Sequence, residues 1–420
     1  MRSSGAAHNK CFFPNKVLAL PRQQNFYEKV ETTMNLDKQY PCVADMEAAA
    51  QRRIPKFMRE YLFGGLGGGV SVLKNRQALD QVEFMPRYLS DGNTPEIRTQ
   101  LFGRSFDAPF GVAPVGLSGL IWANSEVILA AAAKAHNIPY TLSTVATASL
   151  EEVRKVAGEN AWFQLYTPKD PEVVKDLLGR CKKVGYETLL LTVDVPYATR
   201  REHDIRNGVS VPPNFDLKTL SQMVSHPGWA LRMLRAGVPE FVNLKPYFAV
   251  KPSINVSKSI RASTNFISGR LGGHISAQRF DQIRDLWPGK LLVKGVMDPV
   301  EAKQYLAMGA DGLVVSNHGG RQLDAAPATA SVLPAIRAAV GPDATLLVDS
   351  GVRTGLDVAR MLALGANFVL MGRPFLFAVA AMDRPGGEHV MKILKAELQS
   401  AMGQIGCPTL QDLPSFLTCK

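Results

Sequence analysis

The chain repeats one hydrophobic pattern eight times: a short apolar run rich in β-branched residues, followed by a longer stretch with helical periodicity. Apolar runs without polar alternation are typical of strands buried on both faces of a parallel sheet. Most successive runs begin about 20–35 residues apart, which is the spacing of βαβ units. The pattern predicts eight strands, at residues 110–113, 140–145, 162–166, 188–194, 291–295, 312–318, 345–351 and 368–373.

The order of these elements predicts a (β/α)₈ TIM barrel, an α/β fold, rather than an open doubly wound sheet. Helix-start signals lie between the strands, such as the Ser149 and Glu152 capping box and Asp298 directly before Pro299. No G-x-G-x-x-G sequence follows the first strand, which argues against a nicotinamide-binding Rossmann domain. We predict a disordered extension at residues 1–33. The barrel domain is predicted at residues 34–420, and it begins with an amino-terminal helical segment.

One interval breaks the repeat, because the fourth and fifth strands begin about 100 residues apart. An insertion is therefore predicted at residues 207–273, and it has eight Lys or Arg residues against two acids. Aromatic residues lie among the basic ones: Trp229, Phe241, Tyr247, Phe248 and Phe266. This composition suits a segment that associates with a membrane surface and equally a solvated lid over the barrel mouth.

The overall composition narrows the class of protein. The 420 residues are 46% hydrophobic and 20% charged, which allows a large core and argues against general disorder. Five cysteines without a C-x-x-C pair argue against a disulfide framework and a zinc site, and we expect no metal. No apolar run reaches the roughly 18 residues of a spanning helix, and none resembles a signal peptide, so a cytoplasmic protein is expected.

The net charge of +11 is high for a metabolic enzyme. We find no helix-turn-helix, zinc-finger or stacking-sheet motif beside it, so a nucleic acid partner is not expected. An anionic substrate or an anionic membrane surface explains the charge as well. Peripheral contact with the inner face of the cell membrane is therefore one expectation that the insertion raises.

Candidate site residues stand at the carboxyl ends of all eight predicted strands. A barrel assembles its functional site there, from several different strands. Any one of these residues has an ordinary structural explanation, but eight strand ends with the same character favour a binding site. In chain order they are Pro114, Val115, Gly116, Ser143, Gln164, Tyr166, Thr192, Asp194, Lys294, Ser316, His318, Arg321, Asp349, Gly351, Arg353, Gly372 and Arg373.

The sixth strand and its loop, residues 312–324, read G-L-V-V-S-N-H-G-G-R-Q-L-D. His318 is suited to proton transfer near neutral pH, and Arg321 offers a planar set of donors for a carboxylate. The part S-N-H-G-G-R-Q-L-D resembles the signature of the FMN-dependent L-2-hydroxy acid dehydrogenases and oxidases. That family includes glycolate oxidase, lactate oxidase and the membrane-associated lactate and mandelate dehydrogenases. The last two have an insertion similar to the one here, with a matching His-Pro-x-Trp pattern at 226–229.

The resemblance implies an FMN site at the strand ends. Gly351 with Arg353, and Gly372 with Arg373, follow the seventh and eighth strands, where barrels commonly bind a phosphate. Lys294 can place positive charge beside the flavin edge that becomes negative on reduction. The family's FMN-binding positions correspond to Pro114, Val115, Gly116, Ser143, Gln164, Thr192, Lys294, Ser316, Asp349, Gly351, Arg353, Gly372 and Arg373.

The resemblance also implies the catalytic roles. His318 corresponds to the base, Asp194 to the carboxylate that orients its ring, and Tyr166 to the donor at the substrate hydroxyl oxygen. The substrate carboxylate is expected to bind Tyr61, Arg201 and Arg321. After the tyrosine the chain departs from the family, since residues 66–69 read L-G-G-G where acidic residues are usual.

Two positions bear on the electron acceptor and the substrate. Oxidases of the family tend to have alanine where this chain has Gly116, whereas the membrane-associated dehydrogenases tend to have glycine. Together with the insertion, Gly116 favours a quinone acceptor. Val145 stands where some members have a tryptophan over the substrate side chain, so a lactate-sized or a larger aromatic substrate fits. Lactate and mandelate therefore stay open.

Other functions remain as alternatives. A soluble oxidase that makes hydrogen peroxide is the nearest one. A non-catalytic flavin- or membrane-binding protein would not need a base such as His318. A phosphate-sugar barrel without flavin would leave Lys294 and Gln164 unexplained. A homo-oligomer is expected from the family alone.

Overall fold

The structure, a computed structural model, describes residues 35–418 except 90, 91, 93, 198, 207–216, 238 and 248–270. The chain divides into a short unit, Met1–Pro41, and a large unit, Cys42–Lys420. In the short unit, residues 35–39 are helical. The predicted disordered extension at residues 1–33 lies outside the described residues, as do Phe248 and Phe266 of the insertion.

Eight parallel strands, β3–β10, close into a barrel in which β10 pairs with β3, as predicted. An antiparallel hairpin, β1–β2, precedes the barrel. Nearly every barrel-strand residue is buried, which explains the apolar runs without polar alternation. The strands are β1 Thr99–Leu101, β2 Arg104–Phe106, β3 Phe110–Val112, β4 Tyr140–Ser143, β5 Ala161–Leu165, β6 Thr188–Thr192, β7 Lys290–Val296, β8 Gly312–Val315, β9 Leu346–Val348 and β10 Phe368–Met371.

Most strands end earlier than the hydrophobic pattern predicts, because hydrogen bonds of polar side chains replace the backbone hydrogen bonds between strands there. The strand predicted at 312–318 ends at Val315. The Ser316 hydroxyl then accepts hydrogen bonds from Lys294 Nζ, at 2.8 Å, and from the His318 backbone N–H, at 3.1 Å. His318 itself has φ +58°, which a strand cannot accommodate. The side chains that form the site therefore also end the strand.

Helices surround the barrel, and three of them form the predicted amino-terminal helical segment: α1 Val43–Arg53, α2 Lys56–Phe63 and α3 Val70–Asp80. Asp298 caps its helix by accepting from the N–H groups of Val300 and Glu301, and Ser149 accepts from Glu152 N–H as half of the predicted capping box. The other α-helices are α4 Ser118–Ile121, α5 Ser125–Ala135, α6 Leu150–Ala157, α7 Pro171–Val184, α8 Glu202–Arg206, α9 Leu217–Val224, α10 Pro227–Ala236, α11 Ala277–Leu286, α12 Pro299–Ala307, α13 Thr329–Val340, α14 Gly355–Ala363, α15 Arg373–Met382 and α16 Arg384–Ile405. Short 3₁₀ helices lie at Gly158–Asn160, Lys245–Tyr247 and Leu410–Phe416.

The hairpin β1–β2 closes the amino end of the barrel. Phe106 at its end contacts Trp162 and Phe368, near the starts of two barrel strands, with ring centroids 6.4 and 5.8 Å apart. Leu101 joins the same buried cluster. The amino end of the barrel interior is thus packed with apolar side chains.

The described part of the insertion packs on the barrel mainly through aromatic residues. Trp229 of α10 is 3% exposed, donates from Nε1 to the Ile121 carbonyl at 3.0 Å, and packs edge-on against Phe57. Phe241 is also buried, and Tyr247 contacts Asp176 on α7. These three aromatic residues, which suggested a membrane surface, therefore contact the rest of the protein.

Candidate active site

A cavity of about 800 Å³ opens at the carboxyl end of the barrel, within the roughly 300–1,000 Å³ usual for ligand sites. All eight strand ends contribute to its wall. The predicted site residues that line it are Tyr61, Pro114, Val115, Gly116, Gln164, Tyr166, Thr192, Arg201, Lys294, His318, Arg321, Asp349, Gly351, Arg353, Gly372 and Arg373. The structure thus brings these residues together around one cavity.

Three predicted site residues, Ser143, Asp194 and Ser316, lie behind the cavity wall and bond to residues that line it. The Ser143 hydroxyl donates to Gln164 Oε1 at 2.9 Å, and Gln164 Nε2 donates to Thr192 Oγ1 at 2.8 Å. This row fixes which atoms of the Gln164 amide face each neighbour. Ser143 thus orients a neutral polar wall.

Lys294 gives the cavity a fixed positive charge. Its side chain is buried, and Nζ lies 2.8 Å from Ser316 Oγ and 3.1 Å from Asp349 Oδ2. Burial works against the charge, but the carboxylates of Asp349 and Asp194 outweigh it and raise the pKa of Lys294 above its usual value. Lys294 is therefore an ammonium group at neutral pH.

His318 lies between an acid and a phenol. Its Nδ1 is 2.9 Å from Asp194 Oδ1, and its Nε2 is 3.0 Å from the Tyr166 hydroxyl. A carboxylate at Nδ1 selects the tautomer with the proton on that nitrogen, so Nε2 is left as an acceptor. The side chains of His318 and Asp194 are only 16% and 13% exposed. This is the arrangement of a general base with an orienting carboxylate.

The electrostatics of this triad suit a base. Burial lowers the pKa of His318 below its usual value, although Asp194 opposes the shift, so the imidazole is neutral at pH 7. Burial also opposes ionisation of Asp194, but its interactions with His318 and Lys294 lower the pKa of that carboxyl. Burial, followed by the Asp194 charge, raises the pKa of Tyr166 above its usual value. Tyr166 therefore keeps its proton and donates it.

Two arginines, Arg353 and Arg373, concentrate positive charge on another part of the wall. Burial lowers the pKa of Arg353 to about 10. Burial and repulsion from Arg353 and Arg321 lower the pKa of Arg373 well below its usual value, although Glu47 and Asp349 oppose this. Charges crowded in this way are stabilised by an anion. Gly351 and Gly372 next to them offer backbone N–H groups, so this part suits a phosphate.

The amino-terminal segment reaches the cavity through Tyr61 at the end of α2. The Tyr61 hydroxyl donates to the Gly116 carbonyl at 3.0 Å, and the Arg321 guanidinium lies 4.5 Å from the centre of the Tyr61 ring. Arg321 also donates to the backbone carbonyls of Tyr61 and Gly64. Arg201 lines the same cavity. Two arginines and a phenol thus face the space beside His318, as a carboxylate site requires.

Several cavity residues were missed by sequence reasoning. Tyr197, Phe241 and His274 contribute to the wall from segments that follow β6, inside or next to the insertion. Their position after a barrel strand was a usable signal, but no motif marks them. Their contribution to the wall supports the lid interpretation for the described part of the insertion.

Comparison with known proteins identifies the family. Residues 50–419 match the family model described as FMN-dependent dehydrogenase, and the chain belongs to that family. FMN is accordingly its cofactor. The chain is 38% identical to the L-lactate dehydrogenase of Pectobacterium atrosepticum over 371 residues, which is 88% of this chain and 95% of that protein.

Solved structures give the same picture. A monotopic membrane protein, (S)-mandelate dehydrogenase, matches with a TM-score of 0.84 and 34% identity over 90% of this chain and 99% of its own. A mandelate oxidase matches with a TM-score of 0.74 and 33% identity over 91% of this chain and 99% of its own. The neighbours thus include both a dehydrogenase and an oxidase.

Proposed function

We propose that the protein oxidises an L-2-hydroxy acid, of lactate or mandelate type, to the 2-keto acid and passes the electrons to a quinone. The observation that supports this most directly is the His318–Asp194 pair at 2.9 Å facing a cavity with Arg201 and Arg321. A base beside a carboxylate site is what oxidation of a hydroxy acid requires. The relatives named above act on substrates of the same class.

The cavity residues fit FMN at both of its polar ends. The crowded Arg353 and Arg373 would hold the phosphate, with N–H groups at Gly351 and Gly372. Lys294 and the Ser143–Gln164–Thr192 row, together with residues 114–116, would hold the ring. When bound, FMN accepts the two electrons that the substrate loses on becoming a keto acid.

The protein's own side chains then orient the substrate and accept its proton. Arg201, Arg321 and Tyr61 bind its carboxylate. Tyr166 turns its proton from His318 to the substrate hydroxyl oxygen, which frees Nε2 to accept a proton from the substrate. Asp194 stabilises the imidazolium that forms. This sequence requires no proton donor or acceptor beyond the side chains already in the wall.

Anaerobic mixing of the purified, detergent-solubilised protein with L-lactate, glycolate or L-mandelate tests the proposal. We expect one acid to bleach the flavin absorption band rapidly. Reoxidation by added quinone rather than by air would support a dehydrogenase, whereas sustained oxygen uptake would favour the oxidase alternative. A flavin that no 2-hydroxy acid bleaches would overturn the proposed substrate class.

We further propose that α9 and α10 contact the membrane. Both helices expose large apolar side chains: Leu220 and Val224 on α9 are 54% and 72% exposed, and Leu231 and Leu234 on α10 are 49% and 77% exposed. Trp229, on the other face of α10, donates to the carbonyl of Ile121 on α4 and anchors the helix there. The basic composition of the insertion adds attraction to anionic lipid. None of the described helices combines the length and apolarity needed to cross a bilayer.

Sedimentation with anionic phospholipid vesicles tests the membrane contact. Leu231→Asp with Leu234→Asp should release the protein from the vesicles without changing flavin bleaching by the substrate in solution. Val300→Asp is the matched control, because Val300 is 63% exposed on α12, outside the insertion. Equal vesicle binding by the wild type, the Leu231→Asp with Leu234→Asp variant and Val300→Asp would contradict the proposal.

The family resemblance also leads us to propose a homo-oligomer. Analytical ultracentrifugation in detergent measures the mass directly. A mass of one chain of 45.7 kDa would contradict this.

A further inference from the structure

The two loops that contain the proposed base and the proposed phosphate site both have strained backbones. His318 after β8 has φ +58°, and Ser350 after β9 has φ +80°. Left-handed conformations are unfavourable for residues with a Cβ, so they persist only where surrounding contacts impose them. The residues next to these two positions, Asn317 and Gly351, are bonded to α3, a helix outside the barrel.

Asn75 on α3 holds the loop of the base through Asn317. Asn75 Nδ2 donates to Asn317 Oδ1 at 3.0 Å, and Asn317 Nδ2 donates back to Asn75 Oδ1 at 2.8 Å. Asn317 Oδ1 also accepts from the Gly320 N–H, and its Nδ2 lies 3.3 Å from Ser71 Oγ. Asn75 and Asn317 are only 2% and 5% exposed, so water does not replace these bonds easily. The amide pair therefore clamps the residues on both sides of His318.

Arg76, the next residue on α3, holds the phosphate turn. Its Nη1 donates to the Gly351 carbonyl at 2.7 Å and forms an ion pair with Asp357 at the start of α14. The fully buried Asp357 carboxylate also accepts from the backbone N–H of Arg353 at 2.9 Å. Arg76 thus bonds one end of the turn directly and the other end through Asp357.

The loops pack directly on α3 and on each other. A Cβ on Gly320 would lie 2.8 Å from the Val72 nitrogen, and a Cβ on Gly351 would lie 2.9 Å from the Asn75 carbonyl oxygen. The Ser350 hydroxyl accepts from the Gly319 N–H at 2.9 Å. Neither loop has room to move without the helix.

We propose that Asn75 and Arg76 are positioning residues that hold the two loops in register. Arg76 sets the geometry of the turn at 351–353 and with it the affinity for the FMN phosphate. Asn75 sets the orientation of His318 and with it the rate of substrate oxidation. The described residues that line the cavity do not include Asn75 or Arg76. The inference rests on the proposed roles of His318 and of the arginine cluster.

Binding of FMN and of riboflavin to the full-length apoprotein tests the role of Arg76. Riboflavin has the same ring without the phosphate. Arg76→Met should weaken FMN binding by about tenfold or more and leave riboflavin binding within about twofold. Arg76→Lys, which keeps the charge but lacks the planar fork, should show a smaller loss of the same kind. Asp80→Asn is the control, because it removes the exposed carboxylate that pairs with Arg76 and with Arg360 and leaves the bonds of Arg76 to Gly351 and Asp357 in place.

Each outcome of that experiment decides the point. Selective loss of FMN affinity in both Arg76 variants, with normal binding by Asp80→Asn, supports the proposal. Equal loss for FMN and riboflavin means that Arg76 stabilises the fold in general, and no loss means that the turn holds itself. Either of these results overturns it.

Asn75→Ala tests the other half, with FMN at saturating concentration. We expect the rate of flavin bleaching by substrate to fall about 10–100-fold, while the affinity for pyruvate, a keto acid bound through its carboxylate, stays within about twofold. Ser71→Ala removes one weaker contact to the same Asn317 amide and should give a smaller loss in rate. A purely structural role would reduce pyruvate binding and bleaching together, and would contradict the inference.

His318→Ala, measured in parallel, separates this inference from the proposed function. If that variant bleaches at the wild-type rate, the assignment of the base is wrong, and the role of Asn75 fails with it. If His318→Ala is inactive while Asn75→Ala and Ser71→Ala are normal, only the inference about α3 fails.

Discussion

The two ends of the barrel solve opposite problems. At the amino end, the β1–β2 hairpin fills the opening with Phe106, which packs edge-to-face on both Trp162 and Phe368. At the carboxyl end, the wall contains buried Lys294, the proposed base His318 with a left-handed backbone, and crowded arginines. Apolar burial and aromatic contacts stabilise the folded state, whereas enclosed charges and strained backbones destabilise it. The amino end therefore stabilises the fold, whereas the carboxyl end contains the destabilising groups that we propose for the chemistry.

The largest effect is expected at the carboxyl end. His318→Ala removes the proton acceptor and should lower the rate of substrate oxidation by about 10²–10⁴-fold. The FMN content should be unchanged, because Lys294 and the arginine cluster remain. Anaerobic flavin bleaching measures the rate, and absorbance per mole of protein measures the cofactor. A variant that loses FMN would mean that His318 is part of the cofactor site instead.

Phe106→Ala makes the converse change at the amino end. Loss of a fully buried phenyl ring should lower the free energy of unfolding by about 3–5 kcal/mol. The rate of flavin bleaching per folded molecule should stay near that of the wild type, since the ring lies at the far end of the barrel. Denaturant unfolding with and without FMN measures the free energy of unfolding, and anaerobic flavin bleaching measures the rate. Tyr88→Ala is the control, because Tyr88 is an aromatic residue that is 79% exposed.

These two ends were not equally readable from sequence. The eight barrel strands were predicted because burial on both faces leaves apolar runs that need no knowledge of the fold. The strand-end residues were predicted because parallel strands in a barrel bring their carboxyl ends together. The hairpin was not predicted, since each of its strands has only one buried residue and therefore leaves no apolar run.

The positions that sequence missed at the site depend on tertiary packing. Asn75 and Arg76 stood in the sequence beside a family-like segment, but their bonds to loops about 240–280 residues away follow only from how α3 docks. Phe241 likewise enters the wall because a segment of the insertion folds over the mouth. Ser143 and Ser316 were expected to bind the cofactor, yet they lie behind the residues that line the cavity.

The pH dependence of oxidation sharpens the electrostatic side of the comparison. His318 must be neutral to accept a proton, and its pKa is lowered below 6.5, so kcat/KM should rise with pH and level off with a midpoint below 6.5. Asp194 raises the pKa of His318, so Asp194→Asn should move that midpoint to still lower pH. The plateau should fall about 100-fold, because the imidazolium loses its partner. A midpoint that moves upward would contradict the arrangement seen here.

The smallest effect is expected at Gly116, which lines the cavity. A Cβ at this position would lie 2.6 Å from Cγ2 of Val145, which also lines the cavity, so Gly116→Ala has to displace the valine side chain. We expect a rise of about tenfold in KM for L-mandelate and a smaller one for L-lactate. Val145→Ala vacates the space that the new methyl group needs.

The double variant Gly116→Ala with Val145→Ala therefore provides the decisive comparison. If the valine contact is the cause, the double variant should recover most of the mandelate affinity, and the two substitutions should be strongly non-additive. Additive losses would mean that the methyl group at 116 acts through the cofactor or through the Tyr61 hydroxyl, which donates to the Gly116 carbonyl. The aromatic substrate discriminates best, because its larger side chain needs the space that Val145 leaves open.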